Sequence, residues 1–173
     1  MAEIFPFHLT TRPTEFVSSI TTLRAVESAD LPVLFEHQLD PEAARMAAFP
    51  SRQREAFMAH WAALLANPAN AARTIVHDGN VAGNIGAWTD AATGARQVGY
   101  WIGRDYWGRG IASAALAKFI EEEKTRPLTA GVVRHNAASI RVLQKCGFVV
   151  VREERFTGRD GHSVEELILR LGA

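Results

Sequence analysis

Cys146 is the only cysteine among 173 residues, so no internal disulfide can form, and a reducing, cytoplasmic setting is expected. Charge of neither sign dominates: Lys plus Arg and Asp plus Glu number 19 each, which leaves no basic field for nucleic acid. No apolar run approaches the roughly 20 residues that span a bilayer, so no membrane partner is expected. Glu3, Pro6 and His8 interrupt the segment where a signal peptide needs an apolar stretch. His37, His60, His77, His135 and His162 fall in no metal-ligand spacing, and no metal is expected. Two phosphate-loop signatures are also missing. Ser113 stands where the third glycine of a dinucleotide fingerprint would be, and there is no Gly-Lys-Ser/Thr tripeptide.

What remains is an ordinary globular composition, 47% apolar and 22% charged. Its most informative stretch is 97–116. Residues 97–102 are apolar and aromatic and suit a pleated, buried strand. Ile111 opens a run of Ala, Leu, Ile and Phe that suits a helix, and Gly108 and Gly110 lie between the two. A strand, a glycine turn and a helix start form an anion site: the first-turn N–H groups are free, the helix dipole favours negative charge, and glycine lets a phosphate approach closely. The alternative for Gly108 and Gly110 is a plain turn.

The remaining pattern predicts a first strand at 23–26 and a helix capped by Ser28 or Asp30 that runs through Leu39. A turn at Asp40-Pro41-Glu42 and an apolar loop at 46–50 follow. Ser51 and Glu55 then frame a helix carrying Phe57, Met58, Trp61, Leu64 and Leu65. Strands are expected at 73–77, 81–89 and 97–102, joined by turns at Asp78-Gly79-Asn80 and 90–95. The helix after the glycines reaches Lys124, with Glu121, Glu122 and Glu123 on its solvent side. A strand at 127–133, a helix at 137–146 stopped by Gly147, and strands at 148–151 and 164–171 complete the chain. Residues 1–21 read as an irregular, partly disordered arm, and 22–173 as one domain. The fold class is mixed α/β, around one mostly antiparallel sheet of about six to seven strands with about four helices.

Two segments resemble the motifs of a known family. Gly99-Tyr100-Trp101-Ile102 followed by Tyr106-Trp107-Gly108-Arg109-Gly110-Ile111-Ala112 resembles the acyl-CoA signature of the GCN5-related N-acetyltransferases (GNAT). Asn136-Ala137-Ala138-Ser139-Ile140-Arg141-Val142-Leu143-Gln144-Lys145-Cys146-Gly147-Phe148 resembles their second cofactor motif. Together they look like the branch typified by ribosomal-protein N-terminal acetyltransferases, the RimJ/RimL type. The resemblance implies the GNAT fold and an acetyl-CoA or close acyl-CoA donor. It also implies direct attack by a primary amine, with no further cofactor. Cofactor contacts then fall on Trp101, Ile102, Gly103, Trp107, Gly108, Arg109, Gly110, Ile111, Ala112, Ser113, Asn136 and Ser139. Asn136 would meet the pantetheine arm or simply cap its helix. The N–H of Ile102 would polarise the thioester carbonyl, in a gap where the strand ending there splays from its parallel neighbour.

The chain departs from the family pattern in two places that bear on proton transfer. Leu143 stands where many members carry a tyrosine that protonates the leaving thiolate, and Ser139 is the nearest hydroxyl. Gln97 stands where related sequences often have a glutamate; it can orient a water but cannot take a proton. Deprotonating an α-amine with pKa about 8 costs about 1.4 kcal/mol at neutral pH, against about 4.6 kcal/mol for a lysine-like amine. The missing glutamate therefore leans toward a low-pKa acceptor, with Glu36, His37 and Glu42 as other bases. Protein N-termini, polyamines, free amino acids and amine-bearing antibiotics all fit as acceptors, and both a monomer and a homodimer fit. The rival reading is a non-catalytic acyl-CoA-binding regulatory module.

Overall fold

A computed structural model describes residues 20–158, 161 and 163–172. The expected arm therefore lies outside the described residues except for its last two positions. Seven strands form one sheet: β1 (Thr21–Ala25), β2 (Ala71–His77), β3 (Asn80–Thr89), β4 (Arg96–Ile102), β5 (Leu128–Val133), β6 (Val149–Thr157) and β7 (Ser163–Leu171). Their spatial order is β1-β2-β3-β4-β5-β7-β6, and every neighbouring pair is antiparallel except β4–β5. That parallel pair needs a crossover, which the helix after the glycines supplies.

Five α-helices, one more than expected, occur among the described residues: α1 (Leu31–Leu39), α2 (Pro41–Ala47), α3 (Arg54–Ala66), α4 (Ile111–Glu122) and α5 (Ala137–Lys145). Helices α4 and α5 cover one sheet face. There Ile111, Ala115, Leu116, Phe119 and Leu143 pack against Ile75, Ile85, Val98, Leu128 and Leu169. On the other face Leu34 and Phe35 of α1 pack with Phe57 and Trp61 of α3. The expected strands and long helices are present, with ends shifted by at most three residues except that β6 runs six residues past Val151, to Thr157.

Five local expectations are corrected. Asp40-Pro41-Glu42 is not a turn but the start of α2: the Asp40 carboxylate accepts the Ala43 N–H at 2.8 Å, and Pro41 suits a first helical position because its missing N–H is not needed there. The 46–50 loop accordingly begins inside that helix. Ser51 does not cap α3, which starts after Gln53; its hydroxyl donates to the Gln38 carbonyl at 2.5 Å. Glu123 is not on a solvated face: its carboxylate is buried and accepts from Arg96 Nη2 at 2.5 Å. Neither Ser28 nor Asp30 caps α1 with a side-chain bond. Ser28–Asp30 is a 3-10 turn that leads into α1.

Asp30 instead ties β1 and β2 to that turn. Its buried carboxylate receives Arg24 Nη1 and Nη2 at 2.6 Å each, the Thr74 hydroxyl at 2.6 Å and the Glu27 N–H at 2.9 Å. The Arg24 guanidinium chiefly, with Thr74 and Glu27, holds its pKa down to about 2 against the opposing effect of burial. A lowered carboxyl pKa adds stability above the unfolded-state value, and that stability is lost as pH falls toward the folded value. Asp30→Ala should lower unfolding free energy by about 2–4 kcal/mol in urea denaturation at neutral pH. The difference from wild type should shrink between about pH 4 and pH 2; a shift within about 0.5 kcal/mol would contradict this account.

Candidate functional site

The β4–β5 pairing stops after two residues, Arg96 opposite Leu128 and Gln97 opposite Thr129. Both strands run on, to Ile102 and Val133, so they part into a wedge. Gly103 donates its N–H to Ala82 of β3 at 2.9 Å, and strand alternation therefore turns the Ile102 N–H toward the wedge. The Trp107 indole N–H donates to the Ile102 carbonyl at 2.9 Å and fastens the loop across the strand end.

That loop delivers the chain to α4 through Gly108 and Gly110, with φ of 74° and 76°. L-residues with a Cβ rarely adopt this conformation, so both positions call for glycine. Gly110 is the N-cap of α4 and supplies no side chain to its first turn. The first intrahelical bond runs from the Ala114 N–H to the Gly110 carbonyl at 3.0 Å. The N–H groups of Ile111, Ala112 and Ser113 are left without a helical acceptor, at the positive end of the helix dipole.

Wedge and helix start open into one cavity of about 580 Å³. Of the residues expected from sequence, Trp101, Ile102, Trp107, Gly108, Gly110, Ile111, Ala112, Ser113, Asn136 and Ser139 line it. Three do not. Gln97 sits at the closed end of the wedge opposite Thr129. Gly103 lies against His37, whose Nε2 would be 2.6 Å from any added Cβ. The Arg109 guanidinium turns back over the Tyr106 ring, 5.8 Å from its centroid.

Residues from two other helices complete the wall. Arg141 and Lys145, four residues apart on α5, bring two cations to the cavity, and Met46 and Ala47 of α2 close another side. Asn136 is the N-cap of α5: its side-chain oxygen accepts the Ser139 N–H at 3.1 Å, leaving its amide nitrogen to a ligand. The Ser139 hydroxyl lies 2.7 Å from the hydroxyl of Tyr100, whose place in a buried strand makes it partly core whatever else it does. Burial pushes the Tyr100 pKa up to about 12, with Ser139 only partly opposing it, so the phenol keeps its proton at neutral pH. Leu143, at the tyrosine position of the motif, is buried in the core.

The alternative bases fare differently. Arg45 holds Glu42 through two bonds of 2.9 and 2.7 Å and lowers its pKa, which removes basicity. Burial lowers the pKa of His37, and its Nδ1 is a buried nitrogen without a hydrogen-bond partner among the described residues. Glu36 is exposed. Among the described residues no three of His, Cys, Asp and Glu come together as a metal site, and no helix is long and apolar enough to cross a membrane.

Comparison with known proteins agrees with this geometry. Residues 21–149 match the family model described as the acetyltransferase (GNAT) domain. The chain is 32% identical over 138 residues to the uncharacterized N-acetyltransferase p20 of Bacillus licheniformis, covering 73% of this chain and 78% of that protein. The fold is similar to that of a ribosomal-protein-alanine N-acetyltransferase from Brucella melitensis, with TM-score 0.74, 21% identity, and 88% of this chain and 99% of that one covered. It is also similar to yncA of Salmonella typhimurium, assigned as an acetyltransferase and solved with its cofactor acetyl-CoA. There the TM-score is 0.72 and the identity 20%, with 87% of this chain and 92% of that one covered.

Proposed function

The chain belongs to the GNAT acetyltransferase family, and from that premise we propose that residues 22–173 form a single domain that moves the acetyl group of acetyl-CoA to a primary amine by direct attack. The observation that carries this reading is the parting of β4 and β5 beside a glycine-opened helix start, with two α5 cations on the same cavity. A diphosphate needs N–H donors and positive charge, and a pantetheine amide needs unpaired strand groups. The cavity offers both.

In this mechanism the diphosphate rests on the N–H groups from Gly108 to Ser113, with Arg141 and Lys145 supplying charge. Pantetheine runs along the open edge of β4, where the Asn136 amide meets it. The Ile102 N–H polarises the thioester carbonyl as the amine attacks. Ser139 faces the sulfur and protonates the departing thiolate, and the Tyr100 hydroxyl restores its proton. A thiolate leaves readily, so this help is modest. We place Gln97 outside the reacting centre because it lies at the closed end of the wedge.

Of the acceptors, a protein N-terminus fits the ribosomal-type motif residues, and a small-molecule amine fits the same wedge. The cytoplasm is the compartment that a lone, half-buried Cys146 suits.

Thiol release from acetyl-CoA across a panel of α-amines, alkylamines and polyamines tests the reading. Amine-dependent release is expected from at least one class; acetyl-CoA binding with no release from any would point to a regulatory module instead. Ser139→Ala should lower kcat by about tenfold, at the weak end of acid–base effects, and Tyr100→Phe by a similar factor. The double variant should be no worse than the worse single, since the two hydroxyls act as a unit. Multiplying losses in a double-mutant cycle of kcat would contradict the relay.

A further inference from the structure

A second cavity, of about 140 Å³, lies in the same wedge and meets the first at Ala47, Tyr100, Asn136 and Ser139. It is lined from both sheet faces. Val98, Tyr100 and Leu143 belong to the α4–α5 side, whereas Gly99 of β4, Gly131 of β5 and Glu166 of β7 alternate onto the other. Where two paired strands would close the sheet, their separation leaves a slot lined from both faces, into which Gly99 and Gly131 bring no side chains of their own.

Glu166 sits at that slot, on β7 opposite Val133. Its carboxylate lies over Gly131, so that a Cβ added there would meet Oε1 at 2.5 Å. Glutamates nearby are tied: Glu165 to Arg155 at 2.6 Å, Glu153 to Arg134 at 2.7 Å and Glu154 to Arg152 at 2.5 Å. The Glu166 carboxylate alone of these has no hydrogen-bond or ion-pair partner among the described residues.

Accepting the acetyl-transfer reading above, we propose that Glu166 is the base that takes a proton from the acceptor ammonium, which reaches the thioester through this slot. The ammonium gives one proton to the carboxylate and its freed lone pair forms the bond to the carbonyl carbon. The C–S bond breaks with its electron pair on sulfur, and Ser139 protonates the thiolate. The second nitrogen proton restores the Tyr100–Ser139 pair, the amide keeps the third, and Glu166 releases its proton to solvent. A base at the slot admits lysine-like alkylamines, the class that the missing glutamate at position 97 had disfavoured.

The chemical setting suits the role. Half-burial raises the Glu166 pKa, and Glu154 across the β6 ladder raises it further. Among the described residues Tyr100 is the only other titratable group lining the slot; β6 sets Glu154 beside Glu166, with Arg152 holding it, α2 contributes Ala47, and α5 contributes Asn136, Ser139 and Leu143. A carboxylate whose pKa is raised binds the incoming proton better than an ordinary one. It also destabilises the fold once ionised. A raised acid pKa means that stability present below the ordinary value is lost as pH rises through the folded value.

The test compares two acceptors, n-butylamine, mostly ammonium at neutral pH, and hydroxylamine, already neutral there and in no need of a base. Glu166→Gln should cut kcat/KM for n-butylamine by about 100-fold or more and leave hydroxylamine nearly unchanged. Its rate with n-butylamine should rise with pH where wild type levels off, and its melting temperature at neutral pH should equal or exceed wild type. Gly131→Ala, which displaces only the flexible carboxylate, should cost about tenfold with n-butylamine alone. Equal losses with both acceptors, no loss with n-butylamine, or a wild type that binds acetyl-CoA yet acetylates neither would overturn the proposal. A wild type that does not bind acetyl-CoA in a thermal shift would instead remove the reading beneath it.

Discussion

Gly110→Val is expected to weaken acetyl-CoA binding by about 100-fold or more. A charge-assisted hydrogen bond contributes about 1.5–3 kcal/mol, and displacing the diphosphate from two N–H groups exceeds the 2.7 kcal/mol or so that this factor represents. The wild-type backbone at Gly110 has φ of 76°, and no atom of the described residues lies within 4 Å of the position a Cβ would take. In the binding mode proposed above, the phosphate approaches through that space. Valine both fills it and disfavours the left-handed turn, by about 1–2 kcal/mol. Gly94→Val separates the two effects. Gly94 has φ of 70° and equally open surroundings, but lies in the β3–β4 turn at the far end of β4 from Ile102. It should show the strain without the loss of affinity. Isothermal titration checks both variants, and a wild-type dissociation constant for Gly110→Val would refute the cradle.

Gly83→Ala should be the most destabilising single-methyl change in the sheet. A Cβ at Gly83 would stand 2.0 Å from the Trp101 carbonyl oxygen and 3.1 Å from the Ile102 Cα. Both are backbone atoms, so the strands themselves must separate. The bond from the Gly103 N–H to the Ala82 carbonyl lies next to the clash and would be strained with it. Overpacking of this kind costs about 3 kcal/mol, or about 6–12 °C in melting temperature for a chain of this size. The damage falls where β4 presents Ile102 to the wedge, so acetyl-CoA affinity should fall too. Calorimetry of the variant with and without acetyl-CoA measures both effects; an unchanged melting point would mean that β3 and β4 do not approach this closely.

Much of this arrangement is written locally in the chain. Strand, paired glycines and helix stand in sequence at 97–116, and the chemistry of a free helix start follows from them without tertiary knowledge. The second motif stands likewise in one helix. Other features depend on where distant segments meet. The Pro41 that reads as a turn opens a helix, because a proline behind a capping aspartate satisfies both meanings until the chain is folded. Tyr100 reads as core by alternation, and its hydroxyl gains significance only when α5 brings Ser139 to 2.7 Å. Glu165 and Glu166 are adjacent and alike in sequence. Strand alternation sends one to Arg155 and the other to the slot, but no periodicity reveals that β4 and β5 part there. Arg141 and Lys145 carry a readable signal, two cations four residues apart on the helix of the second motif.

The central claim is that this chain carries an acetyl group from acetyl-CoA to nitrogen. Incubating the full chain with acetyl-CoA labelled in the acetyl carbons and the amine panel, followed by mass spectrometry of the products, tests it most directly. Labelled acetyl on an amine nitrogen, with free thiol in equal amount, is the expected result. Thiol release with the label found only in acetate, or no turnover with any amine despite saturated binding, would contradict it.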